Sequence, residues 1–113
     1  SSRRRHTRLL TVTGVQTCAL PILARALLLD PEYLVLIEPT SAVDTHTEGR
    51  IARELRDARL GRTTVIATSS PLLLEKVDEV IVVRDGRVID QGSHEQLLLT
   101  NSWYRQLIVR GDE

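Results

Sequence analysis

At 113 residues the chain has room for one small domain with a modest core, and an apolar share of 42% beside a charged share of 27% is that of a globular protein rather than a disordered or collagen-like one. Its single cysteine, Cys18, excludes an internal disulfide, and no stretch approaches the roughly 20 apolar residues of a membrane-spanning helix. The formal net charge of zero conceals an uneven distribution: with Arg3, Arg4, Arg5 and Arg8 set aside from the 15 basic residues, 11 remain against 15 acidic ones, a net of −4.

Residues 1–22 form a basic arm with no acidic residue, which a composition rule assigns to nucleic acid or to targeting. Back-translation points elsewhere. Val12 to Ile22, VTGVQTCALPI, fits the codons of a common short-read sequencing adaptor without a mismatch, and Ser2 to Arg8, SRRRHTR, fits the outer primer of the same library design. Leu9 to Thr11 occupy the place of the variable index. Residues 1–22 are therefore expected to be non-native and to carry no function, and no nucleic-acid partner is expected.

Leu23 to Leu29, LARALLL, is expected to be the tail of a helix that Asp30-Pro31 stops. Tyr33 to Ile37, YLVLI, is an unbroken apolar run, as in a strand buried on both faces of a parallel sheet. Thr45 with Glu48 three residues on reads as a capping box, opening a helix with Ile51, Leu55 and Ala58 on one face and Gly61 beyond its end. Thr63 to Thr68, TTVIAT, is β-branched and predicts a second buried strand; a short helix over Leu72 to Lys76 follows Ser70-Pro71.

Val80 to Arg84 and Arg87 to Asp90, joined by Asp85-Gly86, predict a hairpin. Ser93 with Gln96 caps the next helix, and Trp103 to Val109 forms a last amphipathic one. The order strand, helix, strand predicts half of an α/β doubly wound domain. Its functional edge would lie at the C-terminal ends of the parallel strands, where Glu38 to Asp44 and Ser69-Ser70 follow.

The run LVLIEPTSAVD, Leu34 to Asp44, resembles the Walker B strand and D-loop of ABC ATPases. The spacing continues through GRTTVIATSS and DEVIVVRDGRVIDQGSHEQLL, similar to the switch strand, the following strand and the hairpin that end such cassettes. The likeness runs from Leu23 to about Glu113 and implies the C-terminal half of a P-loop NTPase (RecA-like) cassette, with parallel strands, flanking helices and a terminal hairpin. With Trp103-Tyr104 in the closing helix it is similar to an exporter half, in which membrane helices precede the cassette.

That resemblance implies the residue roles. Glu38 would be the catalytic carboxylate that orients the water attacking the γ-phosphate of ATP. Ser69 stands where the family places its switch histidine, and Ser41 and Asp44 match the D-loop, which runs along the dimer interface; Asp44 could also simply lead into the helix beginning near Thr45. Ile37 occupies the place of the Asp that holds Mg²⁺ through water, and a hydrocarbon side chain offers no oxygen to do so.

His46 and His94 lie near helix starts without a second ligand at metal spacing, and no metal site is expected. Neither a glycine-rich phosphate loop nor an L-S-G-G-Q signature is present, and the one lysine, Lys76, is far from any G-x-x-x-x-G-K-[ST]. ATP and Mg²⁺ are thus expected in an intact parent protein and not held tightly by this chain alone. The implied partners are a second cassette, in a heterodimer given Ile37 and Ser69, and an upstream transmembrane domain at the cytoplasmic face of a bacterial membrane. The alternatives are a soluble ABC-type ATPase of DNA repair or translation, and an α/β interaction module that binds no nucleotide.

Overall fold

The computed structural model describes residues 19–111, and their side chains over residues 21–108. The adaptor reading falls mostly on residues 1–18, outside the described residues. Two compact units divide the chain between Thr68 and Ser69.

The first unit is a βαβ arrangement preceded by a helix. Helix α1, Ala19–Leu29, starts four residues before the expected point, with Pro21 in its first turn, where a missing N–H costs no hydrogen bond. Leu23 and Ala26 bury one stripe of it. Asp30 takes a left-handed backbone (φ 44°) and ends it. Strand β1, Tyr33–Ile37, pairs in parallel with β2, Thr63–Ala67, in the register Tyr33 to Thr63 through Ile37 to Ala67. Between them runs α2, Thr45–Ala58, which buries Ala52 and Leu55.

Two expectations are corrected here. The strands are not buried on both faces. In β1 Leu34 and Leu36 are buried, whereas Tyr33, Val35 and Ile37 are 56%, 52% and 76% exposed, and no residue of β2 is fully buried. The period-2 geometry of a strand sends alternate side chains to opposite faces, and among the described residues only one face is covered. The cap of α2 is Asp44 rather than Thr45. Its carboxylate accepts from the Thr47 N–H at 3.0 Å, which leaves Glu48 free of the capping role assigned to it.

At the far end of α2 the apolar face does not continue to Ala58, which is exposed; the buried residue there is Arg59. Its Nε donates to Thr64 Oγ1 at 2.9 Å, its Nη2 to the Thr63 carbonyl at 2.9 Å and the Glu32 carbonyl at 3.4 Å, and its Nη1 to the Pro31 carbonyl. Asp30 lies 3.8 Å from Nη1 and also pairs with Arg62 at 3.1 Å. Burial pulls the Arg59 pKa below its ordinary value, and the Asp30 charge opposes that shift. Gly61, at φ 80°, turns the chain from this cap into β2.

The second unit opens with a single helical turn, α3, Pro71–Leu74, one residue ahead of the expected start and two residues short of the expected end, with Pro71 at its first position. Strands β3, Val80–Arg84, and β4, Arg87–Gly92, form the expected antiparallel hairpin. Asp85 and Gly86 both adopt positive φ (52° and 76°), as a tight two-residue hairpin turn requires. A register shift between Val82 and Val83 marks a bulge. Helix α4, His94–Thr100, carries the complete Ser93–Gln96 capping box, and α5, Ser102–Gly111, closes the chain's described part.

Leu74, Val80, Val82, Leu97, Tyr104 and Ile108 form the core of this unit, with Val77, Leu98 and Trp103 packed against it. A fully buried leucine such as Leu97 contributes roughly 1.5–3 kcal/mol. The buried His94 Nδ1 lies 2.7 Å from the Tyr104 hydroxyl, an interaction that joins α4 to α5, and burial pushes the Tyr104 pKa up to about 12. No described helix is long and apolar enough to cross a membrane.

Two predictions follow from these buried polar groups. Arg59→Lys is expected to destabilise the first unit by about 2 kcal/mol or more, because a buried ammonium cannot span the three carbonyls and one hydroxyl that the planar guanidinium reaches, and a hydrogen bond to a charged group contributes about 1.5–3 kcal/mol. A lower urea midpoint at unchanged m-value reads this out. Tyr104, with a raised pKa, contributes stability that is fully present below about pH 10 and lost as pH rises through about 12. Tyr104→Phe should cost about 1–3 kcal/mol at neutral pH by leaving His94 buried without its partner, and should flatten the alkaline limb of a stability-against-pH curve.

Candidate active site

The parallel register that pairs Ile37 with Ala67 ends both strands at one level. Beyond it the Glu38 N–H still reaches the Ala67 carbonyl at 2.8 Å, so the ladder extends one residue past β1. Glu38 itself leaves the extended conformation: its φ is 45°, a left-handed geometry unusual for a side chain larger than glycine or asparagine. The alternation of the strand therefore stops there, and the exposed carboxylate lies at the C-terminal edge of β2. Its Oε2 accepts from the Thr68 hydroxyl at 3.4 Å.

The segment from Glu38 to Asp44 is a tight double turn. The Ser41 N–H donates to the Glu38 carbonyl at 3.3 Å and the Val43 N–H to the Thr40 carbonyl at 3.2 Å. Pro39 and Thr40 are buried, while Ser41, Ala42 and Asp44 are exposed. The Thr40 hydroxyl donates to Oε2 of Glu48 in the first turn of α2, which pins the turn from inside. Asp44 is held at both oxygens: Oδ2 takes the Thr47 N–H, and Oδ1 takes the Thr47 hydroxyl at 2.7 Å. The Thr47 side chain and then its N–H hold the Asp44 carboxyl below the usual carboxylate range.

Of the residues singled out in the sequence, the structure places Glu38, Ser41 and Asp44 on one exposed turn of the first unit. Ser69, half-buried, opens the second unit and is described with it. The hydroxyl that reaches Glu38 within the first unit is that of Thr68, one residue earlier. Sequence reasoning missed both Thr40 and Thr68. Thr68 had a signal in the strand pairing, since residues that follow paired strand ends are neighbours; Thr40 had none, because its partner lies eight residues away across a turn. Asp44 performs the local capping role that was weighed against the D-loop reading.

Ile37 is the residue before Glu38 and is the most exposed of the apolar residues on β1. It brings no oxygen donor, and among the described residues no cluster of three or more His, Cys, Asp or Glu could hold a metal ion. These residues by themselves do not fit Mg²⁺. What the turn does offer is a carboxylate fixed through its backbone by a neighbouring strand, able to orient a hydroxyl or a water presented from outside.

Because Asp44 has a depressed folded-state pKa, its contribution to stability is present above its unfolded value near 4 and is lost as pH falls through the lower folded value. Asp44→Asn keeps a side-chain acceptor for the cap and should remove this acid-dependent part of the curve, whereas Asp44→Ala should lower stability across the whole range. Thermal midpoints measured between pH 2 and pH 6 distinguish the two.

No family model matches the chain. Among curated proteins it is 40% identical over 88 residues to a probable multidrug resistance ABC transporter ATP-binding/permease protein, YheI of Bacillus subtilis; that stretch is 78% of this chain and 15% of the relative. It is 45% identical over 85 residues to an ATP-dependent lipid A-core flippase of Pectobacterium atrosepticum, covering 75% of this chain and again 15% of the relative. Among solved structures, a bacterial Atm1-family ABC exporter with ATP bound superposes with a TM-score of 0.71 at 32% identity, over 81% of this chain and 16% of that one. The chain thus spans about 15% of the length of the curated relatives it matches. The likenesses favour neither the soluble ATPase nor the interaction module.

Proposed function

Over at least three quarters of its length this chain is homologous to ABC exporter proteins, and from that premise we propose that it serves as the C-terminal part of the ATP-binding cassette of a membrane exporter. Residues 23–113 supply the Walker B strand, D-loop and switch region of a P-loop cassette, and residues 1–22 are foreign to it. The intact protein binds ATP with Mg²⁺, contains a transmembrane domain upstream, and works at the cytoplasmic face of a bacterial membrane with a second cassette.

The observation that carries this reading is Glu38. A carboxylate held at the C-terminal edge of a parallel sheet, on a backbone conformation that its own residue type disfavours, is where an α/β domain of this kind meets its ligand. In the proposed reaction Glu38 orients the attacking water, while Ser41 and Asp44 lie along the interface with the partner cassette. Bound Mg²⁺ would neutralise developing phosphate charge, and this chain contributes no ligand to it at position 37. A serine at 69 donates one hydrogen bond with less reach than an imidazole. Both substitutions support a heterodimer in which this subunit's own site turns over slowly and a competent partner site does most of the hydrolysis.

Ile37 packs into no core among the described residues, so an aspartate there displaces none of their buried contacts and the reading is testable. In the full-length protein paired with its partner, Ile37→Asp together with Ser69→His is expected to raise ATP hydrolysis at this subunit's site by about tenfold or more, the scale of a gained charge-assisted contact. Phosphate release measured with the partner site inactivated is the readout, and an unchanged rate refutes the slow-site assignment.

A further inference from the structure

We propose that Thr68 is a positioning residue for Glu38, its hydroxyl setting the direction of the carboxylate; the inference rests on the reading of Glu38 given above and assigns a role to a residue outside the motif positions. Three observations carry it. The paired strand ends Ile37 and Ala67 make Glu38 and Thr68 neighbours through the register itself. The Glu38 N–H to Ala67 carbonyl bond of 2.8 Å fixes the backbone of Glu38 against the strand that carries Thr68. The Thr68 hydroxyl then meets Oε2 at 3.4 Å, on a carboxylate that is otherwise exposed among the described residues.

An exposed glutamate with three rotatable bonds samples many directions, and a hydroxyl contact from the half-buried residue that directly follows β2 biases that sampling. At 3.4 Å the bond is long for a hydroxyl donor, as catalytic hydrogen bonds often are before the site is loaded. Thr68 is also the residue immediately before Ser69. The side chain that holds Glu38 is thus one peptide bond from the position at which the switch residue is proposed to sense phosphate.

The test uses the full-length protein with its partner cassette, the partner's own site inactivated so that turnover reports this subunit's site, and compares Thr68→Val, which keeps the shape and removes the donor, with Thr68→Ser, which keeps the donor. Thr68→Val is expected to lower kcat for ATP by about tenfold with KM within about twofold, because orientation rather than binding is lost. Thr68→Ser should retain at least about half of the wild-type rate. A second readout needs no turnover: carbodiimide labelling of carboxylates in the resting protein, followed by mass spectrometry, should show Glu38 about twofold or more reactive in Thr68→Val and unchanged in Thr68→Ser, with Glu95 constant in both. Equal labelling and equal turnover of Thr68→Val and wild type overturn the proposal, as does equal loss in both variants. If the wild type neither binds nor hydrolyses ATP with any partner, the cassette reading falls and takes the catalytic meaning of this contact with it.

Discussion

The buried guanidinium of Arg59 decides where both parallel strands begin. It is the residue at which α2 ends, and from there it binds carbonyls on either side of the sheet, Pro31 and Glu32 before β1 and Thr63 at the start of β2, with the Thr64 hydroxyl as well. Removing a cation from water is expensive, and it is offset here because the donors of the fork meet fixed acceptors and Asp30 stands nearby. Residues 31–32 are thereby held in register with residues 59–64, although 27 and 28 positions separate Glu32 and Pro31 from Arg59. Since the two strands have five residues each and start together, they also end together, at Ile37 and Ala67. The site at the opposite edge of the sheet inherits its alignment from this contact.

Local chemistry was legible in the sequence wherever a few neighbouring residues decide the outcome. The Asp85-Gly86 turn, the Ser93–Gln96 cap and the closing helix all depend on contacts within a few positions, and all stand where the sequence put them. The burial of β1 was not legible, because a run such as YLVLI specifies that the strand is apolar and leaves open which of its faces is covered. The Thr45 cap failed for a subtler reason. Asp44 and Thr45 are both good capping residues, and the choice fell to Asp44 because its carboxylate also accepts the Thr47 hydroxyl. Arg59 escaped notice because an arginine late in a helix reads as a solvated end, and only the folded path of residues 30–32 brings acceptors to it.

The candidate site divides along the same line. Glu38, Ser41 and Asp44 were found through a spacing that resembles a known motif, and the structure places them on one turn. Thr40 and Thr68, which hold that turn and its carboxylate, carry no such spacing. Each acts through a single hydroxyl whose partner lies 8 and 30 residues away, respectively. Supporting residues of this kind are specified by the fold rather than by the motif, and so a motif taken alone names the candidate residues better than what keeps them in place.

Glu38 and Ile37 pull the interpretation of the site in one direction. A left-handed backbone at a residue with a full side chain costs about 1–2 kcal/mol relative to a relaxed conformation, and glycine would remove that cost. Stability alone therefore does not explain a glutamate at position 38. Nor does the packing of the described residues explain Ile37, whose hydrocarbon is 76% exposed among them. The first departure keeps a carboxylate in a strained and directed position; the second leaves the adjacent position without an oxygen. Under the proposed reading, a site that keeps Glu38 to orient water and has no oxygen donor at position 37 would hold nucleotide at an interface more than cleave it quickly. That division of labour is the one the proposed pairing with a second, competent cassette requires.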